Sequence, residues 1–418
     1  MTETNNIHHR HKNARPDVTS NNQPKQQYLD FDAYIRLGEP EQQEKAANWD
    51  IAIGLQAVDG LQPSEYLIET AKRNIEGEIS IDQVRELIHN YYLNKDKITS
   101  NDDDKEEADR VSANIAKLLH SQSLNFTLFG YMQVHKNIFD GVFKFAGKIR
   151  DYEISKREWV LRGESVSYAY PADLRPAIEY DLEQERQFNY GGLSRDEVVS
   201  HIAHFVAYLW QIHAFPEGNT RTTAVFTIQY LRSLGFTVDN EMFSKHSWYF
   251  RNALVRYVYK NNDGVMYEPK YLERFFRNLL FGEQWELKNR YLIINPPAEY
   301  AEQPRLDNPT STQQVPNKYP EIKVDYSDRL TSSNPNIIKL IEMVGNEELS
   351  IKQMMERIGL KDRPSFLNVY LNPSISEGYI RMLFPDSPRH PRQRYLLTVK
   401  GSLLYNEISQ TRQVCQKN

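Results

Sequence analysis

Apolar residues recur every three or four positions along most of the chain, which predicts a mainly α-helical fold. One predicted helix covers residues 198–212, and its apolar face consists of Val199, Ile202, Phe205, Val206, Leu209 and Trp210. Ser194 and Glu197 have the spacing of a capping box just before this helix. A second helix is predicted over residues 220–234, with Gly235 suited to end it. A short polar loop therefore joins two helices.

The loop reads His-Ala-Phe-Pro-Glu-Gly-Asn-Thr-Arg over residues 213–221. It lies at a helix N-terminus, where unpaired N–H groups and the positive end of the helix dipole favour a phosphate. Gly218 lets the backbone approach such an anion, Asn219 offers an amide donor, and Arg221 can grip phosphate oxygens in a fork. The residues alone predict a site that handles phosphate.

Two further side chains of the loop add chemistry. A carboxylate at Glu217 would repel phosphates unless it binds a divalent cation that they share, and Mg²⁺ fits that role. His213 is the only side chain of the loop that titrates near neutral pH, so it is the predicted general base. A single histidine at a helix end usually has a structural role. The combination of groups within nine positions favours a catalytic one.

This nonapeptide resembles the signature of Fic-domain enzymes, His-x-Phe-x-Asp/Glu-Gly-Asn-x-Arg. The resemblance implies that His213 activates a target hydroxyl and that Glu217 holds Mg²⁺ between the nucleotide phosphates. Members of this family mostly transfer AMP from ATP to a Ser, Thr or Tyr hydroxyl of a protein and release pyrophosphate. The implied fold is a Fic-type helical bundle with a small β-hairpin, the flap.

The resemblance also implies a nucleotide-binding set, in which Phe215 anchors the loop: Phe215, Gly218, Asn219, Thr220 and Arg221. The chain departs from the common pattern at three positions. Thr220 stands where many members have Gly, Ala214 where they have Pro, and Ala224 where they have a second Arg. That second Arg commonly grips the terminal phosphate, so its absence leaves the nucleotide preference and the usual form of inhibition open.

Residues 1–27 are polar and predict a disordered tail, in which His8, His9 and His11 are incidental. Residues 28–97 predict an antitoxin-like helical region, as found beside some Fic domains. Its inhibitory pattern would fall at Leu55 and at Asp59-Gly60, and it is degenerate. The region is either a remnant of a toxin–antitoxin type of inhibition or a helical brace.

Residues 98–289 are assigned to the Fic catalytic domain. The acidic run 101–107 predicts a solvated helix start. The segment 145–150 ends in Ala-Gly-x-x-Arg, as the family does, and alternation over residues 162–171 predicts the flap. A flap would pair with the target backbone; the alternative is an ordinary surface hairpin. The aromatic helix at residues 246–257 resembles the region that lines the adenine site in this family; the alternative is that its aromatic residues form core.

Residues 290–332 are rich in proline and predict a linker. Residues 333–405 follow the order helix, helix, turn, helix and two-stranded ribbon, which predicts a winged-helix domain, and residues 406–418 a C-terminal tail. The ribbon loop contains cations that can bind DNA phosphates: Arg389, His390, Arg392 and Arg394. The predicted recognition helix 365–371 offers mainly Asn368 for base contacts, so a protein-binding or dimerising winged helix is equally supported.

The composition restricts where the chain works. Its 418 residues contain one cysteine, Cys415, which excludes an intrachain disulfide and agrees with a reducing bacterial cytoplasm. No apolar run has the length of a membrane span, and the N-terminus lacks the apolar core of a secretory signal. A net charge of -5 argues against nonspecific nucleic-acid binding by the whole molecule.

The leading hypothesis is a protein adenylyltransferase that moves AMP from Mg·ATP to a Ser, Thr or Tyr hydroxyl of a protein target, which can be the chain itself. One alternative is transfer of another nucleotide or phosphoryl group by the same loop. Another is a DNA-binding or interaction regulator with a weakly active Fic domain. Expected partners are the target protein, nucleic acid through the winged helix, and a second copy in a homodimer, with no membrane.

Overall fold

The computed structural model describes residues 31–94, 100–121, 124–238, 240–296 and 330–417, and within them the chain is mainly helical. The predicted tail 1–27 lies outside the described residues, as does most of the predicted linker 290–332. No helix in the described ranges combines the length and the apolarity that crossing a membrane requires.

The first helical unit has five α-helices and one 3₁₀ turn. Its elements are α1 (Phe31–Leu37), α2 (Pro40–Gly54), the 3₁₀ turn (Leu55–Asp59), α3 (Glu65–Ile75), α4 (Ile81–Leu93) and α5 (Ser100–His120). Ser64 and Ser80 cap α3 and α4 with their hydroxyl groups. The carboxylate of Asp109 on α5 is buried, and it accepts hydrogen bonds from the Ser64 amide at 2.8 Å and from the Tyr92 hydroxyl at 2.7 Å. Helices α2 and α5 pack together, and the 3₁₀ turn lies beside the helices that follow in the chain.

Six further helices form the middle unit, which contains the polar loop. They are α6 (Leu128–Ile138), α7 (Leu174–Gln187), α8 (Arg195–Ile212), α9 (Asn219–Ser233), α10 (Asn240–Val258) and α11 (Lys270–Phe281). Helix α9 is central, because every residue from Asn219 to Leu231 is buried. The predicted capping box is present at the start of α8, where Ser194 and Glu197 exchange hydrogen bonds. Helices α8 and α9 are therefore the two helices predicted on either side of the polar loop.

The predicted flap at residues 162–171 is wrong as a strand pair, since no strand is assigned there. Arg162 and Gly163 have positive φ values and form a turn, which follows the 3₁₀ segment Trp159–Leu161. The Glu158 amide donates to the Glu164 carbonyl at 2.9 Å. Beyond the backbone hydrogen bonds at the turn itself, the two sides form no ladder in the described residues, so the alternation in the sequence did not produce a strand pair.

The C-terminal unit contains the predicted order of helices and ribbon. Its elements are α12 (Pro335–Val344), α13 (Ile351–Ile358), α14 (Arg363–Phe366), a π turn (Leu367–Leu371), α15 (Asn372–Ser376), β1 (Ile380–Met382), β2 (Tyr395–Leu397) and α16 (Val399–Lys417). Strands β1 and β2 are antiparallel, with Arg381 opposite Leu396. Residues 406–417, predicted as a tail, continue α16. The winged-helix assignment stays a prediction.

The C-terminal unit packs directly on the middle unit. The Lys400 amide donates to the Leu234 carbonyl at 3.2 Å, at the end of α9. Arg195, the first residue of α8, pairs with Glu407 on α16, with Nη2 2.9 Å from Oε2. The helix that leads into the polar loop is thus held at its far end by the C-terminal unit.

Candidate active site

The backbone turns sharply on both sides of the loop. His213 follows α8 in a left-handed conformation with φ 52°, and Gly218 precedes α9 with φ 76°. A Cβ atom at Gly218 would lie 2.1 Å from Cζ of the Phe139 ring, so the position requires glycine. The loop therefore lies at the N-terminus of α9, as the sequence predicted, with the phenyl ring packed against its backbone.

Asn219 closes the loop from inside. Its Oδ1 accepts a hydrogen bond from the Phe215 amide at 2.9 Å, and its Nδ2 donates to the Phe215 carbonyl at 2.7 Å. The sequence indicated an amide donor for an anion, whereas here the side chain fixes the loop itself. Thr220 is also occupied, because its Oγ1 accepts from Nε1 of Trp210 at 3.0 Å. The N–H groups at the start of α9 are the donors left for an anion.

Phe215 is fully buried, as expected of an anchor, and its ring stacks on His135 at a centroid distance of 3.8 Å. His135 also holds the loop by hydrogen bonds. Its Nδ1 accepts from the Gly147 amide at 2.8 Å, so its Nε2 carries the proton that it donates to the Glu217 carbonyl at 3.1 Å. Burial lowers the pKa of His135 to about 4. The sequence reading missed this residue, and its signal is a lone histidine on a predicted apolar helix.

Arg150 connects the end of α8 to the chain around it. Its amide donates to the Ala214 carbonyl at 2.9 Å, its Nε to the His213 carbonyl at 2.8 Å, and its Nη2 to the Ala169 carbonyl at 2.6 Å. The family-like Ala-Gly-x-x-Arg segment ends at this residue. Arg150 is therefore a structural clamp on the loop, and its guanidinium is committed to backbone carbonyls.

His213 is 3% exposed, and neither of its ring nitrogens has a hydrogen-bond partner within the described ranges. Its ring packs on Tyr168 at a centroid distance of 4.2 Å. Burial, followed by the positive charges of Lys156, Arg251 and Arg150, holds the pKa of His213 well below its usual value. The imidazole is therefore neutral at pH 7 and has an unbonded nitrogen that can accept a proton.

Glu217 is the most exposed charged group of the loop, with 44% of its side chain accessible. Its Oε1 lies 3.0 Å from Nζ of Lys156, which comes from the segment before the turn at Arg162 and Gly163. No group of three or more His, Cys, Asp or Glu side chains that could hold a metal occurs among the residues described. A hard oxygen ligand of this kind fits Mg²⁺, provided that water and phosphate oxygens complete the coordination.

Arg221 is fully buried and is held by the first helical unit. Its Nε lies 2.8 Å from Oδ2 of Asp59, its Nη2 lies 2.8 Å from Oε1 of Glu107, and its Nη1 donates to Oε1 of Gln56 at 3.1 Å. Burial raises the pKa of Glu107. The acidic run predicted a solvated helix start. Glu107, its last residue, is instead partly buried and pairs with Arg221. Asp59 and Glu107 therefore pair with the same guanidinium that the sequence analysis predicted to bind phosphate.

Ala224, at the position of the missing second arginine, is buried in α9. Another cation lies close to the loop, since Arg251 of α10 faces His213 closely enough to lower its pKa. Its Nη1 is 2.7 Å from Oε2 of the buried Glu158. The Tyr168 hydroxyl donates to the other oxygen of Glu158 at 3.1 Å. No sequence motif indicated Arg251 or Glu158, because only long-range packing brings them to the loop.

Comparison with known proteins gives two family matches. Residues 125–231 match the model of the Fic/DOC family, and residues 335–398 match that of the Filamentation induced by cAMP protein Fic-like, C-terminal domain. A curated relative, "Protein adenylyltransferase VbhT" from Bartonella schoenbuchensis, is 27% identical over 143 residues. That stretch is 34% of this chain and 28% of the relative, so the chain spans less than a third of the relative's length.

Among solved structures, a Fic family protein from Desulfovibrio desulfuricans G20 is 16% identical, with a TM-score of 0.37 over 88% of this chain and 95% of that one. The N-terminal Fic domain of a putative cell filamentation protein from Bartonella quintana is 19% identical, with a TM-score of 0.35 over 43% of this chain and 83% of that one. From the two family matches, the chain contains a Fic domain and a Fic-like C-terminal domain.

Proposed function

We propose that this chain is a protein adenylyltransferase, which transfers AMP from Mg²⁺-bound ATP to a Ser, Thr or Tyr hydroxyl of a protein. The observation that carries the proposal is His213, a buried imidazole without a hydrogen-bond partner in the described ranges, which directly follows α8 and begins the loop that leads to the N-terminus of α9. The Fic/DOC match over residues 125–231 and the adenylyltransferase name of the distant relative support it.

In this reaction His213 accepts the proton of the target hydroxyl at a ring nitrogen. The hydroxyl oxygen forms a bond to the α-phosphorus, while the bond from that phosphorus to the oxygen bridging to the β-phosphate breaks, and pyrophosphate leaves. The N–H groups at the start of α9 stabilise the charge that develops on the phosphate oxygens. Gly218 keeps the loop in this conformation, because any side chain there would displace Phe139.

Glu217 would hold Mg²⁺, which when bound neutralises phosphate charge and orients the leaving group. Its carboxylate must first exchange its contact with Lys156. Arg221 would bind the phosphate tail after leaving Asp59 and Glu107. Phe215, Asn219 and Thr220 would contribute by fixing the loop, since their polar groups and rings are engaged within it.

The remaining expectations are part of the same proposal. The target is a protein, which can be a second copy or the chain itself. The exposed cations of the β1–β2 loop, Arg389 and Arg392, can bind nucleic-acid phosphates, and the C-terminal unit can equally mediate a homodimer. A reducing cytoplasm is the expected compartment, because the chain has one cysteine.

The deciding experiment is incubation of the purified chain with cell lysate, Mg²⁺ and ATP labelled at the α-phosphate. We expect label on protein, a mass increase of one AMP, and a loss of about 10²-fold or more in His213→Ala. His204→Ala is the matched control, because His204 is an exposed histidine of the same helix, and it should label like wild type. Label from the γ-position would indicate phosphoryl transfer instead. No label from any nucleotide would overturn the enzymatic proposal.

A further inference from the structure

The orientation of the His213 ring has no hydrogen bond to fix it in the described part of the chain. A general base needs a fixed ring, because the proton must travel from the target hydroxyl to one particular nitrogen. The neighbours that limit ring rotation are aromatic. Tyr168 lies against the imidazole at 4.2 Å with an interplanar angle of 38°, and Trp210 meets it edge-on at 5.6 Å.

Tyr168 is itself held by its hydroxyl group. Its hydroxyl donates to Oε1 of Glu158 at 3.1 Å, and burial together with the Glu158 charge raises the pKa of this hydroxyl well above its usual value. Glu158 is 1% exposed, and Oε2 is 2.7 Å from Nη1 of Arg251. A buried carboxylate with a cation on one oxygen and a hydroxyl on the other has a defined orientation.

We propose that Tyr168, held by Glu158 and Arg251, is a positioning residue that sets the orientation of the His213 imidazole. The inference rests on the proposed function in that His213 is the general base. A series of side-chain contacts connects the loop to α10 across the turn at residues 162–163: His213 with Tyr168, Tyr168 with Glu158, and Glu158 with Arg251. A buried ion pair of this type contributes little net stability, so a role in fixing one geometry accounts better for its presence.

The matched pair of variants is Tyr168→Phe and Tyr259→Phe. Both tyrosines donate a hydroxyl hydrogen bond to a glutamate of the same segment, Tyr168 to Glu158 and Tyr259 to Glu164. Of these two tyrosines, Tyr168 is the one that contacts the His213 ring. Tyr168→Phe keeps the ring and removes the bond that orients it, whereas Tyr259→Phe reports the cost of losing a similar bond elsewhere. Tyr168→Leu removes the aromatic contact as well.

The first measurement is independent of catalysis. Full-length protein with ¹³C-labelled histidine is examined by NMR, and the His213 ring signal is assigned by its absence in His213→Ala. We expect Tyr168→Phe to shift or broaden this signal and Tyr259→Phe to leave it unchanged. An unchanged His213 signal in both Tyr168 variants would overturn the inference.

The second measurement is AMP transfer to an identified target. Tyr168→Phe should lower kcat about tenfold, and Tyr168→Leu about a hundredfold, with KM for ATP within about twofold of wild type. A fall in transfer that follows the melting temperature equally in Tyr168→Phe and Tyr259→Phe would show a merely structural role. If wild type transfers no AMP while the NMR signal responds to Tyr168, the proposed function fails and the positioning contact stands.

Discussion

Two buried histidines of the middle unit have opposite arrangements. His135 uses both ring nitrogens, one with the Gly147 amide and one with the Glu217 carbonyl, so its tautomer is fixed. His213 uses neither nitrogen in the described structure. Burial lowers the pKa of both imidazoles. The first is suited to hold the loop, and the second is free to exchange a proton.

The lowered pKa of His135 predicts how stability depends on pH. The unfolded state takes up a proton at His135 near pH 6.5, whereas the folded state does so only at about pH 4. The free energy of unfolding should therefore be highest above pH 6.5 and fall as the pH drops from 6.5 to 4, by roughly 3 kcal/mol for this residue. His213 adds a loss of the same sign that also begins near pH 6.5. Urea unfolding followed by circular dichroism at several pH values measures it.

His135→Gln separates the contribution of His135 to this pH dependence from the contributions of other groups, because glutamine can replace the hydrogen bonds but does not titrate. The variant should be less stable than wild type at pH 7.5 and should lose less free energy between pH 6.5 and 4. His89→Gln is the control, since His89 is exposed. Equal pH slopes in wild type and His135→Gln would refute the assignment.

At the scale of elements, the 3₁₀ turn Leu55–Asp59 supplies two of the side chains that contact Arg221. Gln56 and Asp59 from this turn and Glu107 from α5 all contact Arg221. Two carboxylates next to one guanidinium neutralise the charge that a phosphate tail would need. The sequence pattern at Asp59-Gly60 is degenerate as an inhibitory motif, yet the Asp59 carboxylate reaches the site and pairs with the first arginine of the signature.

We therefore expect Asp59→Ala to tighten ATP binding. Arg221 would keep Glu107 and Gln56 as partners, so it stays oriented, but the nucleotide phosphates would compete with one carboxylate instead of two. A decrease of about threefold to tenfold in Kd for Mg·ATP is expected, in line with an ion pair worth about 1 kcal/mol. Isothermal titration calorimetry measures the change directly.

Asp82→Asn is the control for Asp59→Ala. Asp82 belongs to the same helical unit and pairs with Lys117, with its Oδ1 2.5 Å from Nζ. It makes no contact with the loop, so the Kd should not change. Equal or weaker ATP binding by Asp59→Ala would mean that this carboxylate orients Arg221 for the nucleotide and does not compete with it.

Local patterns in the sequence were sufficient to predict the helices α8 and α9 and the loop between them. The capping box at Ser194, the apolar period of residues 198–212 and the glycine at 218 each depend on residues a few positions apart. The prediction of a flap was wrong because an alternating pattern is not sufficient for a strand pair. A β-ladder also needs a neighbouring strand with which to form hydrogen bonds. Lys156, Glu107 and Arg251 reach the loop only through the packing of segments that are distant in the sequence, which periodicity does not encode.

At the scale of the molecule, two glycines allow the C-terminal unit to pack closely against the middle unit. A Cβ at Gly235, just after α9, would lie 2.1 Å from the Gly378 carbonyl oxygen. A Cβ at Gly378, just before β1, would lie 2.2 Å from the Gly235 carbonyl oxygen. The pair Arg195–Glu407 adds a second contact, at the first turn of α8. Because α8 ends at the His213 loop and α9 begins after it, both helices that flank the loop are held at their far ends by the C-terminal unit.

This double contact predicts that the two units unfold together, and Gly378→Ala tests it. The added methyl group must push the two backbones apart, so calorimetry should show two thermal transitions in place of one. Gly359→Ala is the matched control: Gly359 belongs to the same unit and has φ 80°, close to the 78° of Gly378, but its Cβ would meet nothing within 4 Å. Both variants carry the same backbone strain of about 1 kcal/mol, and only one carries the clash. If both variants melt in a single transition at equal temperatures, the glycine contact does not couple the units.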